Sequence, residues 1–197
     1  EDKKIVKKYL KQTSKGVDRL IYIIKDLDLI TKFEAGIASL DQKPFNIITT
    51  IQNVFELLEM QAFENKVELK FDKEYSEPLI VFADEERIQQ VLTNLIINSL
   101  KYGIERGITE VGLEVLKENK ILVRISDNGE GIDEEHLPRL FERFYRVDKT
   151  RNRNQGGSGL GLAIVKHIIE AHGEKIFVES EVRVGSEFCF SLTLDQQ

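Results

Sequence analysis

Four short patches, in fixed order, constrain the second half of this chain more than anything else in it. They are Asn94-Leu-Ile-Ile-Asn98-Ser-Leu-Lys101-Tyr102, Asp127-Asn-Gly129-Glu-Gly131, Phe141-Glu-Arg143-Phe144 and Gly157-Ser-Gly159-Leu160-Gly161-Leu162. The spacing puts each beside a regular element, so the fold must bring element ends together. Apolar residues at Ile88, Val91, Leu92, Leu95, Ile96 and Leu100 predict a helix from Asp84 to about Tyr102, with Asp84 as N-cap and Gly103 as stop. Asn94, Asn98, Lys101 and Tyr102 fall at i, i+4, i+7 and i+8 and share one face of that helix. Two runs of strict alternation, Glu110–Leu116 and Lys120–Ser126, predict half-buried strands. Asp127 closes the second of them. The three-glycine patch opens a helix from about Leu160 to Ala171, with Gly173 as its stop.

The remaining elements are simpler. Val6, Leu10, Thr13, Val17, Leu20, Ile24, Leu27 and Thr31 recur at alternating steps of four and three, a heptad seam on one long helix ending near Gly36. Ile5, Tyr9, Ile21, Ile23 and Ile30 widen that seam beyond a two-stranded one, as a four-helix bundle requires. Asp41 to Phe45 reads as a linker with a short extended piece. A helix from about Ile47 to Phe63 and strands at Val67–Phe71, Leu79–Phe82, Lys175–Ser180 and Glu187–Leu194 complete the reading. The expected architecture is α+β: a two-layer sandwich of a mixed, mostly antiparallel sheet with helices on one face, preceded by one long helix. The expected domains are residues 1–38 and 39–197.

Composition removes several alternatives. A net charge of -6 weighs against a nucleic-acid partner. The single Cys189 excludes an intrachain disulfide and a Cys-rich zinc site. No apolar run approaches the roughly 20 residues that cross a bilayer, and no signal peptide is visible. The chain opens on Glu-Asp-Lys-Lys without Met, which is expected of a fragment of something longer.

The patches carry chemistry as well as geometry. Two amides on a largely apolar helix need partners, either a satisfied core network or a hard cation whose remaining ligands are water and phosphate. Asp127 at a strand end is either turn chemistry or an acceptor for an exocyclic amine such as that of adenine. The glycines before the Leu160 helix suit phosphate, through their flexibility and the free amides of a helix start. Their spacing is neither the dinucleotide fingerprint nor a Walker P-loop. Arg143, Arg146, Lys149, Arg151 and Arg153 stand just before them, either as a solvated basic loop or as nucleotide contacts.

Together the patches resemble the N, G1, F and G2 boxes of the ATP-binding catalytic domain of sensor histidine kinases, within the Bergerat-fold ATPase superfamily. The resemblance is dense from Asp84 to Leu194 and includes a weaker fifth match at Gly185-Ser186. The first helix resembles the second helix of that family's dimerisation hairpin. The resemblance implies ATP and Mg2+ as ligands, with Asn98 and Asn94 on the metal and Lys101 on phosphate. It implies that Tyr102 borders the base, that Asp127 reads the adenine amine, and that Gly129 and Gly131 shape the pocket. Arg143 and Arg146 would belong to a mobile lid. Gly157, Gly159, Leu160 and Gly161 would form its phosphate-side hinge, and Ser186 would complete the site. Ser99 stands where alanine is common, and Arg183 where glycine is common.

In relatives that hydrolyse ATP, a Glu four residues before the metal Asn activates water. Asn94 is an amide and cannot take that proton, so binding with little hydrolysis is expected. None of His136, His167 and His172 has the His-Glu-x-x-x-Pro context of the family's phosphate acceptor. The expected function is therefore delivery of the γ-phosphoryl of Mg-ATP to a histidine outside this chain, for relay to a response-regulator receiver domain. The expected setting is the cytoplasmic part of a homodimeric sensor, attached to membrane only through segments absent here. A non-catalytic ATP-dependent switch, a dimerisation module with a vestigial site, and a serine kinase of the anti-sigma type are the alternatives.

Overall fold

A computed structural model describes residues 2–147 and 158–195. The chain divides into two compact units, Glu1–Ala38 and Ser39–Gln197. The first is a single helix, α1 (Asp2–Glu34). It ends where Gly36 takes φ +65°, a left-handed conformation that glycine adopts without steric cost. On this helix the seam residues Val6, Leu10, Val17, Leu20 and Ile24 are all exposed.

The second unit holds β1 (Lys43–Asn46), α2 (Ile47–Asn65), β2 (Glu68–Phe71), β3 (Ile80–Ala83), α3 (Glu85–Tyr102), β4 (Ile108–Leu116), β5 (Lys120–Asp127), a 3-10 helix (Glu134–Arg139), α4 (Gly161–Ala171), β6 (Ile176–Glu181) and β7 (Gly185–Thr193). Its main sheet has the order β2-β4-β5-β7-β6. Only the β2–β4 pair is parallel; the others are antiparallel. This is the α+β sandwich expected. The alternation read from sequence sets its inner face: Val111 and Leu113 on β4, Ile121, Val123 and Ile125 on β5, and Phe188, Phe190 and Leu192 on β7 are buried. They meet the buried faces of the helices, including Ile51 and Val54 of α2, Ile88, Leu92 and Leu95 of α3, and Ile164, Val165 and Ile168 of α4. A side chain of this kind contributes about 1.5–3 kcal/mol when fully buried.

Three local features refine the sequence reading. The short extended piece expected within Asp41–Phe45 is β1, which pairs antiparallel with β3 as a separate two-stranded sheet. Pro44 is tolerated there because this small sheet has edges on which a missing N–H breaks no ladder. The helix expected to stop at Phe63 runs to Asn65, where Lys66 takes the left-handed cap (φ 55°, ψ 40°) and its N–H reaches back to Phe63. That cap position usually belongs to glycine, so the lysine concealed it. The long segment after Asp127 contains the 3-10 helix, capped by Asp133, whose side chain accepts from the Glu135 N–H.

Asp84 does cap α3, accepting from the Arg87 N–H at 3.2 Å. Its own N–H donates to His172 Nε2 at 3.0 Å, and His172 Nδ1 lies 2.8 Å from the Ile168 carbonyl. A ring nitrogen that accepts carries no proton, so His172 is held as the Nδ1–H tautomer, donating to Ile168. The N-terminus of α3 and the C-terminus of α4 are thereby tied together.

Candidate functional site

One row of residues lies across the inner face at the end of the main sheet. The strand registers pair Thr109 with Asp127, Asp127 with Ser186, and Ser186 with Ser180. Each stands where its strand's inward alternation runs out of apolar residues. Asp127 follows Ile121, Val123 and Ile125 on one face of β5; Ser186 precedes Phe188 and Phe190 on β7. The row is polar because it leaves the core and becomes the floor of a cavity.

That cavity has a volume of about 370 Å3, within the range of small-ligand sites. Asn94, Asn98, Lys101 and Tyr102 line it from α3, Asp127 and Ser186 from the floor, and Gly131 from the loop after β5. Gly159 and Gly161 line it from the start of α4, and Arg146 from the segment before it. The rest of the lining is Ile97, Ile132, Leu140, Val147, Leu162 and Phe188, which are apolar, and Ser99, Glu130, Tyr145 and Ser158, which are polar. Phe188 was recoverable from the sequence, since it sits two residues beyond Ser186 on the same strand face.

Other expected site residues stand back from the lining. Gly129 works behind Asp127: its N–H donates to Asp127 Oδ1 at 2.9 Å, and a Cβ on it would lie 2.5 Å from the Tyr102 carbonyl oxygen. Leu160 is fully buried, and Arg143 is exposed and outside the lining. Gly157, Lys149, Arg151 and Arg153 lie outside the described residues. Ser99 is buried with a partner, its Oγ within hydrogen-bond distance of Thr109 Oγ1. This accounts for a hydroxyl where alanine is common. Arg183 takes φ 68°, and its N–H donates to the Glu130 carbonyl at 2.7 Å.

The electrostatics are graded across the cavity. Burial pushes the Asp127 carboxyl above the ordinary aspartate range, and hydrogen bonds from the Gly129 and Ser186 N–H groups only partly oppose this. On the sign of linkage, a carboxyl with a raised pKa favours the fold while protonated and loses that contribution as pH rises through the raised value. An amine-bearing ligand needs the carboxylate. Its affinity should therefore begin to fall, on acidification, at a pH above that of an ordinary aspartate, and a titration series run downward from pH 7 measures this. Elsewhere in the lining, Lys101 lies over the Tyr102 ring at 4.9 Å. α4 starts there without a side-chain cap, so its first-turn N–H groups remain available to an anion. A Cβ on Gly161 would lie 3.5 Å from Asn94 Oδ1, so α4 begins directly beside the amides of α3. Phe144 N–H donates to the Gly159 carbonyl at 2.9 Å, tying the third patch to the fourth.

Among the described residues no group of three or more His, Cys, Asp or Glu could hold a metal by itself. The amide oxygens of Asn94 and Asn98 instead suit a hard cation that shares its shell with water and a ligand's phosphates. The chain's histidines are occupied elsewhere. His136 Nδ1 is 2.8 Å from the Tyr145 hydroxyl, and His172 Nε2 accepts from the Asp84 N–H. Desolvation lowers the pKa of His167 on α4.

Comparison with known proteins places this geometry in context. Residues 83–196 match the family model described as histidine kinase-, DNA gyrase B-, and HSP90-like ATPase. The sensor histidine kinase WalK of Bacillus subtilis is 34% identical over 199 residues, which is 100% of this chain and 32% of WalK. The circadian input-output histidine kinase CikA of Synechococcus elongatus is 33% identical over 92% of this chain and 24% of CikA. The chain thus spans about a third or less of these curated relatives. Full-length ShkA in complex with AMPPNP superposes with a TM-score of 0.85 at 26% identity, over 97% of this chain and 39% of ShkA. Histidine kinase ThkA in complex with response regulator TrrA gives a TM-score of 0.73 at 27% identity, over 96% of this chain and 52% of that one.

Proposed function

Because the chain belongs to the histidine kinase-, DNA gyrase B-, and HSP90-like ATPase family, as a sensor histidine kinase ATPase domain, we propose that it binds Mg-ATP in this cavity and presents the γ-phosphoryl to a histidine on another segment. The observation that carries this reading is the cavity's lining, in which a desolvated carboxylate, a lysine, two amides and an uncapped helix start all face one space.

In this reading Asp127 accepts from the adenine amine, and the apolar walls at Ile132, Leu140 and Phe188 take the faces of the ring. Lys101 and the first amides of α4 hold phosphate. Asn98 and Asn94 supply oxygens to magnesium, which would neutralise the phosphate charge when bound. Transfer of a phosphoryl group asks the protein chiefly for positioning and charge stabilisation. Position 94, an amide, offers no base to activate water, so transfer is favoured over hydrolysis. The exposed seam of α1 supports homodimerisation of the whole protein through that helix. ThkA, solved with its response regulator, supports a receiver domain as the downstream partner. Among the described residues no helix is long and apolar enough to cross a membrane. Membrane attachment of the whole protein is proposed only through other segments, with this part on the cytoplasmic side.

The test is transfer in trans. The chain, Mg2+ and γ-labelled ATP are mixed with a separate polypeptide bearing an acceptor histidine in the His-Glu-x-x-x-Pro context. Label is expected on that histidine and not on this chain. Label on His136, His167 or His172 would reject the reading, as would steady release of free phosphate without any transfer.

A further inference from the structure

Ser180 lies at the end of the polar row, one strand beyond Ser186, and outside the cavity lining. Its hydroxyl has three neighbours. It accepts from the Ile132 N–H at 2.8 Å, donates to the Gly185 carbonyl at 2.8 Å, and lies 2.9 Å from Ser186 Oγ. A serine hydroxyl has one proton and two lone pairs. The proton goes to Gly185 and one lone pair to Ile132, so the contact with Ser186 uses the second lone pair. Ser186 must therefore be the donor in that bond. With its only hydroxyl proton pointed away, Ser186 faces the cavity with lone pairs alone. The floor then presents acceptors side by side, the carboxylate of Asp127 and the oxygen of Ser186.

Resting on the nucleotide reading above, we propose that Ser180 is a positioning residue for base selection: by holding the Ser186 proton it makes the floor accept hydrogen bonds only, which favours a purine with an amino group at position 6 over one with an oxo group. The amino group offers an N–H to each of the two acceptors, whereas an oxo-purine presents an acceptor at position 6 and has only its N1–H to meet one of them, and that mismatch persists as long as Ser186 cannot turn. Without the Ser180 oxygen the Ser186 hydroxyl is released, can rotate, and can donate to the oxo group.

The experiment compares ADP with inosine diphosphate by calorimetry on the wild type, Ser180→Ala, Ser180→Thr and Ser186→Ala. The wild type should prefer ADP. Ser180→Ala should cut the ADP-to-IDP preference by about five- to tenfold, the effect of roughly one neutral hydrogen bond, chiefly through tighter IDP binding. Ser180→Thr, which keeps the hydroxyl, should restore the preference. Ser186→Ala, which removes the second acceptor, should lower it as well. Equal weakening of both nucleotides in Ser180→Ala would mark a merely structural role and overturn the proposal. So would an unchanged ratio in Ser186→Ala, which serves as the test should Ser180→Ala not fold. A wild type that binds both nucleotides equally rejects the inference and leaves the nucleotide reading standing. A wild type that binds neither rejects both.

Discussion

Asp127→Ala is expected to weaken binding of an ATP analogue about a hundredfold. The substitution removes a charged acceptor from a desolvated floor, and hydrogen bonds to charged groups contribute about 1.5–3 kcal/mol. It also leaves the N–H group of Gly129 without the carboxylate it now meets. Magnesium should not alter this loss, because Asp127 stands at the base end of the cavity. Asn98→Ala should behave differently. Its penalty, about tenfold for an amide that shares a cation with phosphate, should appear with Mg2+ present and largely disappear with EDTA. Calorimetry of both variants, with and without the metal, separates the two ends of the site. Unchanged affinity in both would reject the assignment of the cavity.

The second large effect concerns stability. Gly185 has φ +139°, and a Cβ there would fall 1.9 Å from the Asp127 carbonyl oxygen and 2.8 Å from its carbon. Neither strand can retreat easily, because the β5–β7 ladder runs from Lys120–Thr193 to Asp127–Ser186 beside that point. In Gly185→Ala, backbone strain and overpacking together should cost about 3–5 kcal/mol. For a chain of this size that is a fall in Tm of roughly 10 °C or more. Gly161→Ala is the control: its Cβ would meet nothing closer than 3.5 Å, and the residue is helical. Its Tm should stay within about 2 °C of wild type, given the small helix preference of alanine over glycine. Thermal denaturation followed by circular dichroism reads both. Equal Tm values for the two variants would show that the close approach at Gly185 is not a constraint.

Much of the site was legible because it follows from periodicity. Asn94, Asn98, Lys101 and Tyr102 share a helix face by arithmetic, and the cavity opens on that face. Asp127 was legible because it ends an alternating strand. What depends on register was not. The row from Thr109 through Asp127 and Ser186 to Ser180 spans four strands, and no local pattern reveals which residues lie opposite one another. Ser180 belongs to this hidden class, as does β1, whose partner strand begins 34 residues after its own last residue. Helix ends were blurred where an unusual residue took a usual role, as Lys66 does. The patch of Phe141 to Phe144 was informative in another way. Its value lies in the Phe144–Gly159 hydrogen bond, which ties the patch to the glycines before α4, whereas Arg143, the charged residue that drew attention, is exposed outside the lining.

The bond between Asp84 and His172 gives helices α3 and α4 the mechanics of tongs. The two helices run antiparallel, joined at the N-terminus of α3 and the C-terminus of α4, and their free ends carry Asn98 and Gly161 to the cavity. At 1.5 Å per residue, Asn98 stands roughly 20 Å from the joint. A change of about 5° in the angle between the helices would therefore move Asn98 by roughly 2 Å. The same change would leave the joint almost still.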